Sequence, residues 1–203
     1  MHRNILSLFK RFGRIVFQTR TSSSCQTLCG IVRTPHFMTP VKSTYEILAN
    51  KVLNRSVDKT WIEWAYQMLL AGFDNESLII LAGETAPYNE FELRELTSKI
   101  FDELHLDYSD TEKVIKNYAF YLIDKAIAGE MESIQVLNIL KEICIELDLA
   151  DYLYHFYSLY FAKSDLLESE NQWYIEGVDR SNIDSTIADY FVKWKIENKT
   201  TTA

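Results

Sequence analysis

The stretch from Trp61 to Glu84, WIEWAYQMLLAGFDNESLIILAGE, limits the possible folds of this chain more than any other segment. Trp61, Trp64, Ala65, Met68 and Leu69 recur at the spacing of one α-helical face. Ile62, Tyr66 and Leu70 widen that stripe and leave Glu63 and Gln67 as a thin polar edge, which predicts a helix buried on more than one side. Gly72 supplies the left-handed residue that commonly ends a helix, because it has no Cβ to clash. Asp74 or Asn75 can then accept free N–H groups of a new first turn. The second helix, with Leu78, Ile79, Ile80, Leu81 and Ala82, reads as apolar all round and must end before Pro87. The pair is predicted to be a helical hairpin at the centre of the core, with the other helices packed around it. Two tryptophans and a small Ala-Gly turn would also suit a ligand pocket, an alternative that core packing outweighs.

Beyond the hairpin the pattern stays helical. Tyr45, Ile47, Leu48, Val52 and Leu53 make a short amphipathic segment before it. After it, Asn89 with Glu92 resembles a capping box for a helix striped by Leu93, Leu96, Ile100 and Leu104, with Glu90/Arg94 and Glu95/Lys99 at i,i+4. Ser109 with Glu112 starts another, which carries Val114, Ile115, Tyr118, Ala119, Leu122 and Ile123 and ends at Gly129. Ser133 begins a helix with Leu137, Leu140, Cys144 and Leu147 inward; Leu153, Phe156, Tyr157 and Tyr160 define the next. Asp165 to Tyr174 reads as a weaker acidic helix, and Ser181 or Asn182 caps a last one with Ile183, Ile187, Tyr190, Phe191 and Trp194 on one face. Only six Gly and three Pro in 203 residues argue against a turn-rich β fold. No strand-like alternation and no fixed-period repeat is found. The predicted fold is all-α, a single-domain bundle or stacked αα-hairpins of about eight helices.

Charge divides the chain. Residues 1–42 hold seven of the 21 basic residues and no acid, leaving 14 basic against 29 acidic residues, a net charge of −15, from residue 43 onward. Such a body repels nucleic acid and anionic membranes, whose binding relies on Lys and Arg meeting phosphate. In the leader, Ile5, Leu8, Phe9, Phe12 and Val16 share one helical face opposite Arg3, Lys10, Arg11 and Arg14. An Arg- and Ser-rich, acid-free N-terminus has the character of an organellar transit peptide or of a basic amphipathic helix on a membrane. The abrupt change of composition beside Met38 favours a third reading, in which Met38 is the true start. The organisation expected is therefore a basic leader over 1–42, disordered or not part of the native protein, an acidic helical domain over 43–197 and a frayed tail over 198–203. No run reaches the 18 or more apolar residues that a membrane helix needs. Three cysteines cannot form a fully paired disulfide framework, and Cys144 falls in a helical pattern as a small core residue. The expected compartment is the cytoplasm, or the mitochondrial matrix if the leader is genuine.

WAYQMLLAGFDNESLIILAGE and, farther along, AIAGEMESIQVLNIL resemble a pattern in small uncharacterised helical proteins of bacteria, in which such a hairpin precedes a helix–Gly–helix unit. The matching parts cover under a quarter of the chain. The resemblance implies an all-helical protein starting at Met38 and carries no catalytic motif.

Chemistry is sparse. Glycine-rich phosphate loops and the G-x-S-x-G elbow are absent. Cys25 and Cys29 with His36 lack a fourth zinc ligand. In the body, His105 has Asp102 three residues before it and His155 has Asp151 four before it, the only candidates for a carboxylate/His metal site. Neither has the Glu-x-x-His spacing of di-metal bundles, and with 29 acids such neighbours are expected by chance. Glu63 and Glu84 border the apolar hairpin and are the carboxylates expected nearest the core. No catalytic residue and no cofactor is assigned. In YLYHFYSLYF, residues 152–161, Tyr152, His155 and Leu159 form an edge stripe beside Asp151, with Ser158 outward. Tyrosine-rich edges suit protein contacts, because Tyr gives large contact area at little rotamer cost. The reading favoured is a non-enzymatic protein-binding module, an acidic inhibitor or immunity-type protein for a basic partner, with Asp151, Tyr152, His155 and Leu159 at the contact. The alternatives are a helical-bundle enzyme with a carboxylate/His metal site, and an organellar assembly factor if the leader is a transit peptide.

Overall fold

A computed structural model describes residues 38–198 of the chain. The expectations placed on the leader helix, on Cys25, Cys29 and His36, and on the tail beyond Asn198 lie outside the described residues. Within them the protein is all-α, with eight helices: α1 (Thr44–Val52), α2 (Lys59–Leu70), α3 (Glu76–Ala82), α4 (Glu90–Glu103), α5 (Thr111–Ile127), α6 (Ser133–Glu146), α7 (Asp151–Glu168) and α8 (Ile183–Asn198).

Local chemistry sets the boundaries. Asp58 precedes α2 and its carboxylate accepts from the Thr60 N–H at 2.9 Å. Gly72 has a φ of 100° and closes that helix, as its lack of a Cβ allows. Helix α5 is capped one residue later than the S-x-x-E pattern predicts. Asp110, not Ser109, accepts from the Lys113 N–H at 3.0 Å, while Ser109 is held in a turn by Asp107. A carboxylate in that position also favours the positive end of the helix dipole. Helix α6 starts with a capping box between Glu132 and Gln135. On α4 the Glu90–Arg94 pair forms at 2.8 Å, whereas Lys99 turns away from Glu95 to reach Glu103 at 3.6 Å.

Two hydrophobic clusters result. The first is built from α1 to α4 around Trp61, Trp64, Met68, Leu78, Leu81, Ile100 and Phe101. Phe101 stacks on Trp61 and meets Trp64 edge-on, with both centroid distances 6.0 Å. The chain joins this cluster before α1 begins, since Val41 packs on it and its N–H reaches Met68 Sδ at 3.4 Å. The second and larger cluster is built from α5 to α8, with Tyr118, Leu122, Leu137, Cys144, Phe156, Leu159, Phe191 and Trp194 among its members. Helix α1 serves both, giving Ile47 to one and Ala49 to the other. The α2–α3 hairpin therefore organises one of two cores. Helices α5 to α8 have enough apolar residues to close a core of their own.

Two further expectations are corrected. Helix α3 is not apolar on every side of its packing: Leu78 and Leu81 are buried, whereas Ile79 and Ile80 face out. The segment 165–174 is not a separate helix. Helix α7 continues to Glu168, and residues 169–182 are a loop tied down by Gln172. The Gln172 amide donates to the carbonyls of Ile175 and Val178 and accepts from the N–H groups of Tyr174 and Ile175. That side chain satisfies the backbone a helix would otherwise have paired.

Candidate functional site

Helix α7 positions the edge proposed for partner contact, and the structure breaks that edge up. Leu159 is fully buried, and Ser158, expected to face outward, is buried with its hydroxyl donating to the Tyr154 carbonyl at 3.2 Å. Helix α7 packs against both α6 and α8, so its buried arc is wider than a single stripe and takes in both residues. Tyr152 is half-buried, with Lys116 Nζ 5.5 Å from its ring centre. Burial first, then the nearby Glu112 carboxylate, pushes its phenol up to about 12. His155 is exposed at one edge and lies against the ring of Tyr190 at 4.2 Å. Partial burial, with Lys193 adding to it, lowers its pKa. Asp151 is exposed at the first turn. Of the expected stripe, Leu159 belongs to the core and Tyr152 packs against it, while Asp151 and His155 stay exposed.

The histidine–carboxylate pairs fare similarly. His105 lies beyond the end of α4, at a φ of 53°, so helical spacing no longer relates its side chain to Asp102. Both residues are exposed, as are Asp151 and His155. Among the described residues, no three of His, Cys, Asp and Glu are grouped so as to hold a metal ion. Glu63, expected near the core, is exposed and paired with Lys59 at 3.1 Å. Cys144 is buried, and burial raises its thiol pKa, which makes it an inert core residue.

A different surface stands out. On α2, Tyr66 and Leu70 are 56% and 70% exposed, and on α3, Ile79 and Ile80 are 51% and 47% exposed. All four were expected to be core. They are solvent-facing because each helix of the hairpin buries only one side, α2 through Trp61, Trp64, Ala65 and Met68, and α3 through Ser77, Leu78 and Leu81. Lys59, Ile62, Glu63, Tyr66 and Gln67 of α2 and Ala82 of α3 line a shallow groove of about 370 Å³, with Lys59 paired to Glu63 at 3.1 Å. Between Lys59 and Arg94 the chain has six acids, Glu63, Asp74, Glu76, Glu84, Glu90 and Glu92, and no Lys or Arg. Of these, Glu63, Asp74, Glu76 and Glu84 belong to the hairpin and its turns, whereas Glu90 and Glu92 open α4; the cation of the hairpin is Lys59 at the start of α2. The sequence did carry a signal for the exposed apolar side. At helical pitch, Tyr66 and Leu70 fall on the far side of the wheel from Trp64 and Met68.

No protein-family model matches the chain, and no curated protein or solved structure matches it either. Among the described residues, no helix is long and apolar enough to cross a membrane.

Proposed function

We propose that this protein is a non-enzymatic binding module for a basic protein partner, and that its contact surface is the outer side of the α2–α3 hairpin. The observation that carries this reading is the exposure of Tyr66, Leu70, Ile79 and Ile80 on one hairpin whose single cation, Lys59, is paired with Glu63. Contiguous apolar residues with a polar rim mark interaction surfaces. Aromatic and aliphatic anchors there supply affinity, while the surrounding carboxylates steer a cationic partner and reject an acidic one. The chemistry suited to such a groove is an amphipathic helix with Lys or Arg flanking its apolar stripe. A reducing compartment, the cytoplasm in the first instance, suits a module whose described cysteine is unpaired.

The test uses the full chain and two synthetic helical peptides with the same leucine stripe, one with lysines on its polar side and one with glutamates. Fluorescence anisotropy should show saturable binding of the lysine peptide and none of the glutamate peptide. Leu70→Ser with Ile79→Ser should weaken binding at least tenfold while leaving the circular dichroism spectrum unchanged. Equal binding of both peptides, or capture untouched by the double substitution, would overturn the reading.

A further inference from the structure

A second feature, independent of the hairpin surface, is a cleft of about 600 Å³ between the C-terminal end of α1 and the outer side of α4, within the size range of small-molecule sites. The described residues 38–198 carry 14 Lys and Arg against 29 acids, yet four of those cations, Lys51, Arg55, Arg94 and Lys99, line this one cleft. Glu95 and Asp102 are the acids in its wall. Three of the cations are already matched: Arg55 by Glu146 at 2.9 Å, Arg94 by Glu90 at 2.8 Å and Lys99 by Glu103 at 3.6 Å.

Lys51 is not matched. Its half-buried ammonium donates to Ser98 Oγ at 2.7 Å and lies 5.7 Å from the ring centre of Phe101, with no carboxylate of the described residues at ion-pair distance. Ser98 in turn donates to the Arg94 carbonyl at 2.8 Å, which fixes it as the acceptor for Lys51. Burial first, then the Arg94 charge, lowers the Lys51 pKa against the smaller opposing effect of the Asp102 carboxylate in the same wall. Trp61 also lines the cleft, and its buried indole N–H has no acceptor among the described residues. Phe91 is 70% exposed at the rim, an apolar surface beside the charges. A buried donor left unpaired is costly, so a site that holds the unpaired Trp61 N–H beside an ammonium bonded to one neutral hydroxyl is improved by an occupant that accepts from both.

We infer that this cleft binds a small organic dianion, a phosphate monoester or a dicarboxylate, whose oxygens accept from Lys51 and the Trp61 indole N–H and whose apolar remainder lies against Phe91. Arg94 and Lys99 add long-range attraction to the same head group.

The experiment uses the full chain with ¹⁵N-labelled tryptophan, phenyl phosphate, succinate and inorganic phosphate as ligands, and phenol as the uncharged control. The Trp61 indole cross-peak is identified by its loss in Trp61→Phe. A saturable shift of that peak with phenyl phosphate, and none with phenol at the same concentration, is expected. Tighter binding of succinate would assign the head group as a dicarboxylate; tighter binding of phenyl phosphate would assign it as a phosphate monoester. Lys51→Met should weaken binding at least tenfold, with Lys51→Arg recovering part of it. Phenol binding as well as phenyl phosphate, or no saturable shift with any of the anions, overturns the site, and both results are read on the wild-type chain. Unchanged affinity in a folded Lys51→Met variant overturns the role of Lys51.

Discussion

The hydrogen bond between Trp64 and Thr44 joins α2 to α1, the helix shared by the two clusters, and its removal gives a quantitative test of the packing. The Trp64 indole N–H donates to Thr44 Oγ1 at 2.9 Å, and the two residues are 1% and 5% exposed. Thr44→Val keeps the shape and deletes the acceptor, leaving the indole N–H buried and unpaired, which costs about 1–3 kcal/mol. Trp64→Phe removes the donor and part of a large core side chain; as a fraction of the Trp→Ala range, it should cost about 1–3 kcal/mol. In the double variant the orphan donor of the first substitution no longer exists. Its total should therefore fall short of the sum of the two single costs by about 1–2 kcal/mol, within the usual range for residues in contact. Trp61 provides the control. It is equally buried, but its N–H has no partner among the described residues, so Trp61→Phe removes an unsatisfied donor and should cost less than Trp64→Phe. Urea unfolding followed by far-ultraviolet circular dichroism would measure all four variants, with the m value checked to be constant. Additivity of Thr44→Val and Trp64→Phe to within about 0.3 kcal/mol would refute the claim that the pair acts as one unit.

Gly72→Val should destabilise by about 1–3 kcal/mol, because Val would be held at a positive φ of 100°; a Cβ there also comes within 3.3 Å of Met38 Sδ. Thermal melting measures it, and trimming Met38 to Ala should not rescue the loss if the backbone is the cause. Burial and Lys193 hold the His155 pKa below its usual 6.5, so the unfolded chain binds a proton more readily there. The stability His155 confers is full above pH 6.5 and is lost as pH falls through that value toward the folded midpoint; an NMR titration should place that midpoint below 6.5, and His155→Phe should flatten this part of the stability profile. Gln172→Ala removes the amide that bonds Tyr174, Ile175 and Val178, so amide exchange at Tyr174 and Ile175 should quicken while exchange within α7 stays unchanged.

Helix positions are legible because the apolar period, Gly72 and Gly129 agree on them; Asp58 and Asp110 cap their helices, whereas Asn75 and Asn89 stand at N-cap positions without a side-chain cap bond, so the expected Asn89–Glu92 capping box does not form. What periodicity does not carry is which helix meets which. Leu78 to Ala82 and Trp61 to Leu70 are the richest apolar runs, and richness alone suggests a single centre. The larger core instead gathers less dense stripes, such as Ile183, Ile187, Phe191 and Trp194 on α8. Each contributes one face, and four such faces close a cluster without the hairpin. The loop after Glu168 was read as helix for a related reason. Its residues are not strongly helix-breaking, and the long-reach pairing of Gln172 with four backbone groups has no signature in composition.

Leu159 and part of Tyr152 in the stripe expected on α7 are taken up by packing, and the reason bears on how exposed surfaces are read from sequence. An aromatic-rich helix between two neighbours uses its aromatics for packing: Phe156 meets Tyr190, Phe191 and Trp194, and Tyr157 meets Phe161. A helix at the edge of a core has apolar residues in excess of what one neighbour can cover. Helices α2 and α3 are in that position, and the excess is Tyr66, Leu70, Ile79 and Ile80. Exposing four large apolar residues is unfavourable at about 25 cal/mol per Å² and gives nothing back within the isolated chain. Beside them the chain from residue 60 to 93 carries carboxylates and no Lys or Arg, the charge on which the proposal of a cationic partner rests. The cleft on the far side of Trp61 shows the converse, cations gathered where the rest of the body is acidic. The two wall residues that connect these regions are on α2 itself, Trp61 toward the cleft and Tyr66 toward the groove, little more than one helical turn apart.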